Sequence, residues 1–182
     1  MRSELARWRV RAGYLAAVVY FVLAHPRPAW LVAGTLAGVA GLIVRGLAAG
    51  YLHKHEGLAT TGPYACSRNP LYLGSALLAA GLAAAARSWL AAAVVAAYFL
   101  AFYPATIRSE ESELAAEYGA AFREYAARVP LFWPKPGLRR ERSAANAERF
   151  SWQQYRRNHE YNTGLGIAVA VLLLALKMVW GQ

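Results

Sequence analysis

Three residue clusters in this chain could do chemistry. The first is the run Thr61-Gly62-Pro63-Tyr64-Ala65-Cys66-Ser67-Arg68-Asn69-Pro70-Leu71-Tyr72-Leu73-Gly74. Gly62-Pro63 marks a turn, and Pro70 suits the first position of a helix, where its missing N–H costs nothing. The run therefore delivers Arg68 and Asn69 to a helix N-terminus. A helix N-terminus beside an arginine attracts a carboxylate or a phosphate. On its own the run equally fits a membrane-surface turn whose arginine holds a lipid headgroup. The second cluster is Arg108-Ser109-Glu110-Glu111, which ends an apolar stretch. Its acids could cap a following helix, accept hydrogen bonds from a sugar, or attract a cation. The third, His53-Lys54-His55, has a spacing that puts the two histidines on different helical faces, so no metal site is expected there. Cys66 is the single cysteine and has no visible base as a partner, so neither a disulfide nor a nucleophile is expected.

The elements that must position these clusters are apolar. Hydrophobic residues make up 58% of the 182 and charged residues 16%, well short of the roughly one quarter usual in soluble domains. Five apolar segments are expected as helices, over residues 8–24, 29–51, 71–86, 89–107 and 163–180. They lack the alternation of a membrane strand and are rich in alanine and leucine. The fold class is thus all-α, a polytopic helical membrane protein with about five transmembrane segments. The third segment is short for a span, which needs roughly 20 residues, so segments three and four also fit a helical hairpin with Arg87-Ser88 at its tip. The N-terminal run lacks a small-residue cleavage site and reads as a retained first helix. Trp8, Trp30, Trp89 and Trp180 fall at segment ends, where amphipathic rings favour the interface.

The net charge is +10, but the cations sit in blocks between apolar runs. That pattern fits anionic lipid and argues against nucleic acid as a partner. With a cytoplasmic N-terminus, 17 of the 20 lysines and arginines fall on the inner side. The expected location is a cell membrane, multi-pass, with the loops at 52–70 and 108–162 cytoplasmic. Leu114, Tyr118, Phe122 and Tyr125 recur at helical spacing and predict an amphipathic helix that Pro130 and Pro134 end. Residues 135–160 are basic with Phe150, Trp152 and Tyr155 interleaved, and read as an interfacial segment. The pairs Gly34/Gly38 and Gly46/Gly50 have the spacing for close helix packing within the chain, with dimerisation the other use of such a face.

The clusters also share an order. Gly-Pro-Tyr, then Arg-x-Pro-x-Tyr-x-Gly, an apolar hairpin, Glu-Glu-x-x-Leu, Tyr118-Gly119, Tyr125 and Val129-Pro130 together resemble the isoprenylcysteine carboxyl methyltransferase family and its relatives, the phospholipid N-methyltransferases. The resemblance covers about residues 54–134, so residues 52–134 form the motif region, followed by the basic segment 135–162 and a C-terminal helix over 163–181. It implies a membrane methyltransferase that binds S-adenosylmethionine without a Rossmann sheet and acts on a lipophilic acceptor among membrane lipids, through carboxyl methylation first and phospholipid N-methylation as the alternative. It implies that Arg68, Pro70, Tyr72, Gly74, Glu110 and Glu111 bind the cofactor, with Tyr64 and Tyr125 among the aromatics around the site. Tyr64 and Asn69, within the first motif's run, are expected at the cofactor too. Arg68, Arg108 and Glu111 are the candidate catalytic residues, Arg108 because it sits close to the acidic pair. Asn69 stands where the eukaryotic carboxyl methyltransferases carry histidine, and it cannot titrate. Rival readings are a sterol-reductase-like enzyme, whose longer cofactor-binding sequence is not evident, and a non-enzymatic helical scaffold.

Overall fold

The computed structural model describes residues 2–53, 57–134 and 149–180, with side chains from Arg7 onward. Among these residues every regular element is helical: α1 (Arg2–Leu23), α2 (Pro28–Tyr51), a short 3-10 turn (Gly62–Ala65), α3 (Pro70–Ala86), α4 (Trp89–Arg128), α5 (Trp152–Arg157) and α6 (Tyr161–Trp180). The all-α reading holds. The breaks fall at the expected punctuation. Pro28 opens α2 and Pro70 opens α3, each at a position where proline suits a helix start. The Ser88 hydroxyl accepts from the Ala91 backbone N–H at the start of α4.

Among the described residues three helices are long and apolar enough to cross a membrane: α2, α4 and α6. α3 is apolar but has only 17 residues, and α1 is not among the three. Its first half carries Arg2, Glu4, Arg7, Arg9 and Arg11. By length and apolarity, three of the five expected spans meet the measure, and α1 and α3 fall outside it.

α4 also corrects the expected boundary at residue 107. The apolar segment and the amphipathic segment are one helical run of 40 residues, passing through Pro104 and bending at Gly119 (φ 53°, ψ −114°). Only glycine adopts that backbone region cheaply. Glu110 and Glu111 consequently lie inside a helix, and they cap no following one. The helix ends at Arg128, just before Pro130.

The chain divides into two compact units. The first comprises residues 1–40, 76–105 and 165–182. Its core is built around Tyr20, Leu31 and Leu174 with Ala24, Ala85, Ala86 and Ala91, while large apolar side chains such as Tyr14, Leu36 and Leu165 face outward. Small residues inside and large apolar ones outside are what a helical bundle in lipid requires, because backbone approach and packing hold it together. The α2–α3 contact illustrates this. A Cβ on Gly81 would come within 2.6 Å of the Gly34 carbonyl oxygen and 2.8 Å of the Gly38 nitrogen. The Gly34/Gly38 pair is therefore used within the chain, as expected. Two polar groups serve helix ends. The Tyr20 hydroxyl donates to the Leu82 carbonyl at 2.8 Å, and the Lys177 ammonium donates to the Phe21 and Val22 carbonyls at 2.6 and 2.9 Å. The lysine that interrupts the last apolar segment thus satisfies the C-terminal carbonyls of α1.

The second unit comprises residues 41–75 and 106–164 and holds every residue of the three clusters that lies in the described range. Phe122, Tyr125 and Val129 form its small apolar core, with Leu58, Leu114 and Tyr118 packed around them. This confirms the inward face of the amphipathic helix. Lys54 and His55 lie outside the described residues, as do residues 135–148, most of the basic segment expected at the interface. The described end of that segment carries α5, whose Ser151 hydroxyl accepts from the Gln154 N–H at the helix start. The Gly46/Gly50 pair does not meet another small-residue helix face: a Cβ on Gly46 would touch Tyr155, and one on Gly50 would strike the Phe150 ring.

Candidate functional site

The site grows from the loop between the 3-10 turn and α3. One backbone N–H and one side chain tie this loop to the chain just after α4. Arg68 N–H donates to the Pro130 carbonyl at 2.9 Å, and the Asn69 side-chain amide donates to the Leu131 carbonyl at 3.1 Å. The Asn69 carbonyl accepts from the N–H groups of Tyr72 and Leu73, which makes it the N-terminal flank of α3. Asn69 and Pro70 are buried. An amide is enough for this work, since the task is to donate to a carbonyl. The titrating group that asparagine lacks has no part in that contact.

A second tie joins the tyrosines. The Tyr125 hydroxyl donates to the Tyr64 carbonyl at 2.8 Å. Tyr64 is buried, and loss of solvent pushes its phenol well above the ordinary range, with the Tyr125 phenol and the Glu110 carboxylate adding to the effect. Tyr64 is therefore a neutral hydroxyl at any physiological pH.

With the loop held in this way, the two charged motifs meet. The Arg68 guanidinium Nη1 lies 3.2 Å from Glu111 Oε1, and the two side chains are only 16% and 23% exposed. The Tyr72 hydroxyl donates to Glu110 Oε1 at 2.5 Å. α3 and α4 thus bring Arg68, Tyr72, Glu110 and Glu111 together. Two polar atoms in this group, Arg68 Nε and Glu111 Oε1, are buried and form no hydrogen bond. A buried donor or acceptor left unmade costs roughly 1–3 kcal/mol, more where the group is charged. Arg68 Nε is an unmet donor on a cation, and Glu111 Oε1 faces that cation as an ion pair without a hydrogen bond, so the group offers a contact to each end of a zwitterion.

Arg108 is exposed one turn before Glu111 on the same helix. Gly74 has a packing reason of its own. A Cβ there would come within 2.5 Å of the Arg45 Cγ and 2.8 Å of the Gly41 carbonyl oxygen. Cys66 is partly buried and unbridged. Among the described residues no group of three or more His, Cys, Asp and Glu side chains could hold a metal ion.

Sequence reasoning missed one feature of this unit. Arg45, in α2, makes a two-armed ion pair with Glu160, at 2.5 and 2.9 Å, and also donates to the Ser75 hydroxyl at 2.5 Å and the Leu71 carbonyl at 3.3 Å. The signal was present as a lone arginine inside an apolar helix, which demands a partner.

Residues 36–121 match the phospholipid methyltransferase family. The chain is 35% identical over 177 residues to the cobalt-zinc-cadmium resistance protein CzcN of Cupriavidus metallidurans, covering 92% of this chain and 81% of that protein. It is 31% identical over 190 residues to the nickel-cobalt-cadmium resistance protein NccN of Alcaligenes xylosoxydans xylosoxydans, covering 98% of this chain and 87% of that one. No solved structure matches. The motif order, the helices that carry it and the match across 36–121 agree, and the chain belongs to the phospholipid methyltransferase family.

Proposed function

We propose that this protein is an S-adenosylmethionine-dependent methyltransferase that modifies a lipophilic acceptor at the cytoplasmic surface of a cell membrane. The observation that carries the reading is the Arg68–Glu111 ion pair, which unites two motifs far apart in the chain and leaves the buried Arg68 Nε without a hydrogen bond. Arg68 would bind the carboxylate of the cofactor. Glu111 would accept from its ammonium or ribose hydroxyls. Tyr72 holds Glu110 beside them, and Pro70 and Asn69 keep the loop in register. When bound, the cofactor supplies an electrophilic methyl group. An acceptor carboxylate is already anionic and needs no base, so the protein's part is orientation and exclusion of water. Arg108, close to Glu111 on α4, would hold such an acceptor.

The family's description favours a second reading, an amine acceptor on a phospholipid. That acceptor must lose a proton, and Glu110 or Glu111 would be the base. The direct test is calorimetric titration of S-adenosylmethionine into the purified protein in detergent, followed by mass spectrometry of lipid extracts from cells with and without the protein. Saturable binding and a new methylated ester support the first reading, and methylated amine lipids support the second. Absence of binding overturns both and leaves the helical scaffold. The names of the two relatives suggest tolerance to heavy-metal cations as the physiological setting. Deleting the gene should then lower growth in graded cobalt, zinc or cadmium, and unchanged growth would remove that setting.

The orientation has its own expected result. Thr60 is exposed in the loop before the 3-10 turn. In a Cys66→Ser background, Thr60→Cys should react with a membrane-impermeant maleimide only after the inner face is opened. Labelling from outside would reverse the assignment.

A further inference from the structure

The Arg45–Glu160 pair lies outside the chemistry described so far, yet its bonds run to the helix turn that carries the site. All of its partners belong to the second unit. Arg45 Nε and Nη2 hold the two oxygens of Glu160, Nη2 also reaches the Thr163 hydroxyl at 3.4 Å, and Nη1 holds Ser75 and the Leu71 carbonyl. The donors of the guanidinium are thus engaged, so Arg45 has no hand left for a ligand. Leu71 and Ser75 flank Tyr72, whose hydroxyl holds Glu110. Gly74, between them, admits the Arg45 stem. Glu160 is held in place by its own segment: the Asn158 side-chain amide donates to the Ala49 and Leu52 carbonyls at the end of α2, and Ser151 N–H donates to the Gly50 carbonyl. Glu160 lies beyond the residues 36–121 that match the family.

We propose that Arg45 and Glu160 are positioning residues: the C-terminal segment, acting through this ion pair, sets the first turn of α3 and so the placement of Tyr72 and Arg68 toward the acidic pair. This rests on the methyltransferase reading for its consequence in binding, but not for the placement itself. A structural pair would matter only for the folded yield. A positioning pair matters for the site even when the protein is stable. The two roles separate because a buried ion pair can be replaced as a unit by apolar side chains with little loss of stability, whereas removing one partner strands a buried charge.

The test is the double variant Arg45→Met/Glu160→Leu in the full-length protein, with Glu160→Gln beside it. Hydrogen exchange read by mass spectrometry on peptides covering residues 68–78 reports the turn, and thermal unfolding reports stability. Calorimetry with S-adenosylmethionine reports the site. The double variant should keep a melting temperature near the parent's, exchange faster across residues 71–75, and bind the cofactor about tenfold more weakly, since a loosened supporting shell costs a site its geometry. Glu160→Gln, which keeps the shape, should exchange at an intermediate rate. Parental exchange in a folded double variant overturns the proposal. If the double variant does not fold, Glu160→Gln decides by the same exchange measurement. If the parent binds no cofactor, the methyltransferase reading fails, and the exchange result alone still decides whether the pair sets the turn.

Discussion

Arg68→Ala and Glu111→Gln should each weaken S-adenosylmethionine binding by roughly 10- to 100-fold, the loss of one charged hydrogen bond worth about 1.5–3 kcal/mol. The geometry sharpens this expectation. Without ligand the two side chains face each other at 3.2 Å, so binding a zwitterion exchanges one ion pair for two new contacts. Each single variant therefore loses a ligand contact and also strands its former partner. The double variant should consequently cost less than the sum of the two singles, because residues in direct contact are not independent. Arg108→Ala should leave cofactor affinity unchanged and slow transfer to an anionic acceptor. The measurement is calorimetry on variants with parental gel-filtration profiles. Parental affinity in both Arg68→Ala and Glu111→Gln would place the cofactor elsewhere.

These residues could be named from sequence because their signals are local. Pro70 announces a helix start, and Gly62-Pro63 announces the turn before it. The apolar runs give the helices, and the spacing of Leu114, Tyr118, Phe122 and Tyr125 gives the buried face of α4's second half. What resisted reading was of two kinds. One was continuity. Hydropathy falls sharply at Arg108, yet the residues that follow are mostly alanine, glutamate and leucine, good helix formers, so the helix runs on through the change in polarity to Arg128. Polarity marks where a helix changes environment, not where it ends. The other was pairing at long range. Arg45 and Glu160 are 115 positions apart. The sequence shows that a lone arginine in an apolar helix needs a partner, but only the fold selects Glu160. The same holds for Tyr72 with Glu110 and Asn69 with Leu131. The glycine spacing lies between these cases. It announced close packing on α2, but Gly34 and Gly38 meet α3 in different ways, and that difference carries a prediction.

Gly34→Leu and Gly81→Leu should all but abolish the folded yield, while Gly38→Ala should be tolerated. A Cβ on Gly34 would collide with the Gly81 carbonyl and the Ala85 backbone and side chain, and one on Gly81 would press on the backbone of Gly34 and Gly38. Backbone cannot rotate aside as the end of a side chain can. Even alanine at either position must push α2 and α3 apart, and overpacking of this kind costs about 1–3 kcal/mol. A leucine adds three more heavy atoms to the same contact. In a bilayer the loss is serious, because lipid is as apolar as the helix faces and close packing is what favours association. Gly38 approaches α3 by its backbone, not by its missing Cβ. A Cβ there would meet only Ile167 and Leu78, each at 4.0 Å, which is ordinary contact. Alanine at that position also removes the helix penalty of glycine, about 1 kcal/mol. Folded yield after detergent extraction and the unfolding midpoint of each variant provide the check. Equal losses at Gly34, Gly38 and Gly81 would mean that the glycines act as one interchangeable stripe. Loss confined to Gly34 and Gly81 would tie the fold to the backbone contact between α2 and α3.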